Sequence, residues 1–266
     1  MTFIDPSAGA IGATLPQLRD WSAVWDTYDP SIHGTRPMPR FYLAARHENW
    51  WGSSLPFTAL LDLAKDHGIP VAWATPTETL RRLAVAGAEH ADKLAVLTGD
   101  EAAIRDLCRQ KLSECPDEWL SGEVAAGEKA VAAWADGHRE AAACLAVTGV
   151  EQMLHNLTRT KGGRGGHNRL LMAGKKEPNP YLPRNQSVLA PLSTLYTQYY
   201  PDRNDPIPDN LSRHAVVHHL PLSHLSPGHC IIAVMLLVSI IRELQERYDD
   251  IRDDLLMQSE DWEAVL

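Results

Sequence analysis

Apolar residues recur at helical spacing along most of this chain. Leu60, Leu61, Leu63 and Ala64 share one face, and the pattern stops at Gly68 and Pro70. The run IPVAWA, 69–74, reads as a short extended connection. Thr77 then precedes Glu78, Leu80, Leu83 and Val85, the signature of a helix start. Leu94, Val96 and Leu97, followed by Ile104, Leu107 and Leu112, predict two further short helices. Pro116 to Gly122 reads as a linker. Beyond it, Val124, Val131, Trp134, Ala141, Leu145, Val150 and Leu154 predict either one kinked helix or two antiparallel ones over 123–157, interrupted at most near Gly137 and Gly149. Leu189, Leu192, Leu195 and Tyr196 give helical spacing within 187–200. The run 230–241 is apolar on every side except Ser239, which predicts a buried core helix.

Before residue 54 the period is lost. Pro6, Pro16, Pro30, Pro37 and Pro39 leave room only for a short helix at 18–25. The fold class that follows is all-α, a helical bundle divided into an N-terminal helical region with an irregular Pro-rich start (1–115), a C-terminal helical domain (123–248) and an acidic tail (249–266).

Composition narrows the function only slightly. With 266 residues, 44% hydrophobic and 22% charged, disorder and collagen-like repeats are excluded. The four cysteines form no C-x-x-C pair and no basic, apolar leader opens the chain, so a reduced, cytoplasmic protein is expected. The twelve-residue run 230–241 falls short of the ~18 residues of a membrane span. The net charge of −9 argues against a generally basic nucleic-acid coat. Its distribution is uneven: from Arg159 to Arg184 seven basic residues face Glu177 alone, whereas nine acidic residues follow from Glu243 onward.

Several stretches carry candidate chemistry. Arg36, Arg40 and Arg46 alternate with Phe41, Tyr42, Trp50 and Trp51, which suits either base stacking beside phosphate contacts or a flap packed on the core. TKGGRGGHNR, 160–169, combines four glycines with four basic side chains, yet lacks the P-loop pattern and a preceding strand. It is a flexible connector or a basic loop facing a polyanion. PDRNDPIPD, 201–209, places three aspartates in a proline-locked turn, a pattern that favours turn chemistry and capping over a metal. No cofactor fingerprint is present in the first half.

The densest candidate is 212–230. Arg213, His214, His218, His219, His224 and His229 run directly into the most apolar helix, pinning titratable groups against a rigid core. Asp209 is placed to cap a short helix that Pro221 closes. On an ideal α-helix five residues advance roughly 500°, so Arg213 and His218 point ~140° apart unless the helix ends or bends between them. His214 and His218 share a face. One chemistry uses a histidine as base toward a ribose 2′-hydroxyl and an arginine to stabilise the phosphorane. Another holds zinc on His214, His218 and a third ligand among His224, His229 and Cys230, although no H-E-x-x-H arrangement is present. The plain structural alternative pairs Arg213 with the acidic tail and turns His218 into a cap or the core.

The segment Arg213-His214-Ala215-Val216-Val217-His218, an R-x4-H spacing followed by a strongly apolar helix, resembles the C-terminal half of HEPN domains. ADGHREAA, 135–142, is similar to their first helical hairpin, and the resemblance covers about residues 123–248. It implies an up-and-down four-helix domain and metal-independent RNA cleavage of the toxin or abortive-infection type. His218 would then be general base, Arg213 the transition-state clamp and His214 an orienting group, with no cofactor. It also implies a homodimer whose facing protomers form the site, and an antitoxin or regulatory partner. Lys161, Arg164 and Arg169 would attract the RNA backbone. His219 stands where the family often has glycine. A catalytically silent interaction protein of the same fold is the reading from another class.

Overall fold

The computed structural model describes residues 47–50, 52–159 and 183–263, and among them the protein is all-α, with no strand. The segment expected to be helical at 18–25, most of the arginine-aromatic stretch and the glycine-rich loop 160–169 lie outside the described residues. Trp50 belongs to the core: it is buried, and its indole N–H donates to the carbonyl of Val71 at 2.8 Å.

Four helices come first: α1 (Phe57–His67), α2 (Thr77–Val85), α3 (His90–Gly99) and α4 (Glu101–Ser113). Leu60, Leu61, Leu63 and Ala64 are the buried face of α1, as their spacing requires. Gly68 ends the helix in the left-handed conformation (φ 66°), and the N–H of Ile69 returns to the carbonyl of Leu63 at 3.3 Å. Thr194 lies so close to Gly68 that a Cβ there would collide with its hydroxyl.

The connection 69–76 is an irregular segment inside the core, not an extended one. Ile69, Val71, Ala72, Trp73 and Ala74 are buried, and Trp73 turns through a left-handed conformation (φ 57°). Side chains answer its backbone. Asn49 donates to the carbonyls of Val71 and Thr75, and the hydroxyl of Ser239 donates to that of Ala72 at 2.7 Å.

After Pro116, α5 (Ser121–Ala135) and α6 (Arg139–Arg159) form a helical hairpin, closed by Gly137 at φ 85°. Gly149 does not interrupt α6. It lets the helix approach the long C-terminal helix, since a Cβ there would meet Leu237 at 3.0 Å. Next come α7 (Pro183–Leu189) and α8 (Leu192–Leu195), so the helical spacing expected to Tyr200 ends five residues sooner.

The long helix α9 (Pro227–Glu263) is the axis of the molecule. From Gly228 to Ile241 it is buried on all sides, packed by α3, α4, α5, α6 and α7. Pro227–Asp250 is long and apolar enough by composition to cross a membrane, and nearly all of its apolar window is covered by these neighbours. The acidic segment expected as a tail continues α9 as helix to Glu263. Buried residues from Trp50 to Leu244 form one core cluster, with helices from either side of 116–122 sharing α9.

A buried ionic knot closes this core. Glu243 receives Arg184 Nε at 3.1 Å, Arg247 Nε at 2.7 Å and the Trp73 indole at 3.0 Å, while Arg184 also reaches Asp250 at 3.0 Å. Burial alone would raise the pKa of Glu243, but Arg184 and Arg247 outweigh it and hold the carboxyl at about 2.

Candidate functional site

The stretch 211–220 crosses the open side of α6 before the chain enters α9. Ser212 starts its helical turn. The Ser212 hydroxyl accepts the N–H of Ala215 at 3.3 Å and its carbonyl accepts that of Val216 at 3.1 Å. Asp209 does not fill the capping role expected of it; its carbonyl lies 2.8 Å from His229 Nε2.

The turn is not a standard α-helix. Residues 215–219 form a π-turn, in which the N–H of Leu220 donates to the carbonyl of Ala215, five residues back, at 2.7 Å. Widening the helix brings residues i and i+5 onto one face. Arg213 Nη1 consequently lies 3.1 Å from His218 Nε2, so the angular conflict of an ideal helix is removed within one chain.

Glu151 of α6 holds the arginine from behind. Its two oxygens accept Arg213 Nη2 at 2.9 Å and Nε at 3.1 Å in a bidentate pair, and Tyr196 donates its hydroxyl to the same carboxylate. The Arg213 guanidinium also lies 5.9 Å from the centroid of the Tyr196 ring. Burial and then Glu151 raise the Tyr196 pKa, so the phenol stays protonated and keeps donating. Among the described residues, Arg213 therefore pairs with Glu151. His218 is exposed, and is neither a cap nor a core residue.

Desolvation and then the neighbouring Arg213 charge lower the pKa of His218, which favours the neutral imidazole near pH 7. His214 Nδ1 accepts the N–H of Tyr199 at 3.3 Å, and its ring lies 4.9 Å from that of His218 and 5.4 Å from that of His219. The structure thus gathers Arg213, His214 and His218 at one surface. Lys161, Arg164 and Arg169 lie outside the described residues.

His224 and His229 belong to the scaffold. His224 Nε2 accepts the N–H of Ser212 at 3.0 Å, and His229 Nδ1 lies 2.5 Å from the carbonyl of His224. Among the described residues no set of three His, Cys, Asp or Glu is arranged to hold a metal. In the proline-locked turn, Asp205 accepts the N–H of Tyr200 at 2.8 Å, which is turn chemistry.

Sequence reasoning missed Glu151 and the Tyr196 hydroxyl. Glu151 is an acidic residue at the margin of the buried face of α6 and carries no local signal. Tyr196 offered one, a phenol at a position where the surrounding spacing calls for leucine. Comparison with protein-family models, curated proteins and solved structures finds no match.

Proposed function

We propose that the protein is a metal-independent endoribonuclease of the HEPN type. The observation that carries this reading is the 3.1 Å approach of Arg213 to an exposed His218, with the arginine braced by Glu151. As the phosphate arrives, Arg213 Nη1 turns from His218 Nε2 to a phosphate oxygen, and the freed Nε2 takes the proton of a ribose 2′-hydroxyl as that oxygen attacks the adjacent phosphorus. Arg213, permanently charged, stabilises the phosphorane. The bond from phosphorus to the 5′-oxygen then breaks, leaving a 2′,3′-cyclic phosphate, and the leaving oxygen takes a proton from water. His214, fixed by Tyr199, sets the direction from which the strand meets His218. Lys161, Arg164 and Arg169 draw in the phosphate backbone. On this reading the protein works in the cytoplasm, as a toxin or defence factor.

Cleavage of single-stranded RNA by the purified protein tests the reading. Activity is expected to survive a chelator and to fall about 100-fold or more in both Arg213→Ala and His218→Ala. Loss of activity on chelation would transfer the reading to a metal-dependent hydrolase.

Val217, Leu220 and Leu222, exposed beside His218, favour a second reading, a silent interaction module, and they also support dimerisation. A homodimer would cover these side chains and bring two Arg213/His218 pairs face to face, and an antitoxin would compete for the same surface. Sedimentation is expected to give a dimer for the wild type and a monomer for Leu222→Asp. A wild-type monomer at micromolar concentration would remove the dimer from the proposal.

A further inference from the structure

A line of rings and guanidinium groups extends away from the proposed reaction centre. The His218 ring lies 4.9 Å from that of His214, and His214 in turn lies 4.9 Å from that of Tyr200. The guanidinium carbon of Arg203 sits 4.2 Å over the centroid of the Tyr200 ring. His219 adds a further ring at 5.4 Å from His214 and 5.5 Å from Tyr199.

The far end of this line is built, not incidental. Residues 201–203 form a single 3-10 turn in which Arg203 N–H donates to the carbonyl of Tyr200 at 2.9 Å. Asn204 closes it in a left-handed conformation, with its N–H on the carbonyl of Pro201 at 3.0 Å. Asp205 then pins the Tyr200 backbone. Arg203 is exposed and, among the described residues, makes no ion pair, although Asp202 and Asp205 are close in sequence. A cation sits over an aromatic ring on an otherwise acidic protein, two rings from His218.

We propose that Arg203, stacked on Tyr200, is a nucleobase-binding subsite for the nucleotide flanking the one cut at Arg213 and His218. It takes single-stranded RNA, because a guanidinium plane can reach the face of a base only where the base is unstacked. Stacking on Arg203 tolerates every base, so the subsite sets strand geometry rather than sequence. The assignment of the flanking position rests on the nuclease reading; the binding itself does not.

The test uses the full chain and a fluorescein-labelled ten-nucleotide RNA, 2′-O-methylated throughout so that it cannot be cut, followed by fluorescence anisotropy. Arg203→Ala and Tyr200→Leu are expected to raise Kd about ten-fold or more, whereas Tyr200→Phe, which retains the ring, stays near wild type. Arg203→Lys keeps the charge and loses the plane, and is expected to behave as Arg203→Ala. Binding fully retained in Arg203→Lys would overturn the stacking subsite in favour of charge alone. It would also be overturned by equal binding of the blunt duplex of the same sequence, or by no strand binding in the wild type. Incubating the unmodified strand separates the two ideas. Ring-dependent binding without cleavage keeps the subsite and removes the nuclease, while cleavage with unchanged Kd in the variants does the reverse.

Discussion

Arg213 spends two of its donor positions on Glu151 and presents the third toward His218. That division makes Glu151 the residue that decides where the guanidinium points. In Glu151→Gln the bidentate carboxylate is lost while size is kept, and Tyr196 retains an acceptor. On the proposed nuclease reading, RNA cleavage is expected to fall roughly ten-fold or more, with the far-ultraviolet circular dichroism unchanged, since a charge-assisted fork contributes about 1.5–3 kcal/mol of orientation. Cleavage equal to wild type would show that Arg213 needs no brace. At this scale Arg213, His214 and His218 were legible from the sequence, because a polar run beside the most apolar helix is conspicuous. The R-x4-H spacing alone would not have chosen them, as Arg40 and His47 show a similar one. Glu151 was not legible. It lies 62 residues away in sequence, and proximity across such a distance exists only after α6 has packed against the turn.

The helices follow from periodicity, down to the starting residue of α2 and the glycine that ends α1. What periodicity did not supply is the π-turn at 215–219, whose i→i+5 bonding depends on how the turn is held at its two ends. Ser212 holds one end by capping and by its bond to His224. Leu220 holds the other in a left-handed conformation (φ 46°, ψ 51°) with its side chain half exposed. That conformation costs an L-residue roughly 1–2 kcal/mol, whereas glycine adopts it freely. Leu220→Gly is therefore expected to stabilise the protein by up to about 1 kcal/mol, a rise of some 2–4 °C in Tm. A lower Tm would mean that the Leu220 side chain contributes more than its backbone costs. The acidic end of the chain is the other difference at this scale. Charge density suggested a tail, but α9 continues through it, with Arg184 on Asp250 and Gln245 on Asp249 and Asp117 along the way.

For the molecule as a whole, buried and half-buried histidines set the behaviour in acid. Burial lowers His47 to about 3, and burial followed by neighbouring histidines lowers His90 and His224 to about 4. Each is neutral in the fold and titrates near 6.5 when unfolded. Between those values the unfolded chain binds more protons, so the contribution to stability is complete above about pH 6.5 and is lost as pH falls toward 4. Asp250, which burial raises to about 6 against the pull of Arg184, works in the opposite direction over part of this window. Three histidines outweigh one carboxylate. Urea unfolding is expected to show stability falling by at least ~2 kcal/mol between pH 7 and pH 4.5. A flat profile would mean that these rings titrate in the native state near their unfolded value. Charging His224 would also remove its acceptor for Ser212.

By itself the sequence determined the all-α class, the positions of most helices and the burial of α9, because these depend on spacings of three and four residues and on whether a face is apolar. It also marked the surface where Arg213, His214 and His218 stand. Only the tertiary structure decided that residues 69–76 run irregularly through the core and that Glu243 balances two arginines there. It also decided that Arg213 meets His218 across a widened turn. Those outcomes require partners drawn from distant parts of the chain to desolvate and pair at once, a condition that no local pattern encodes.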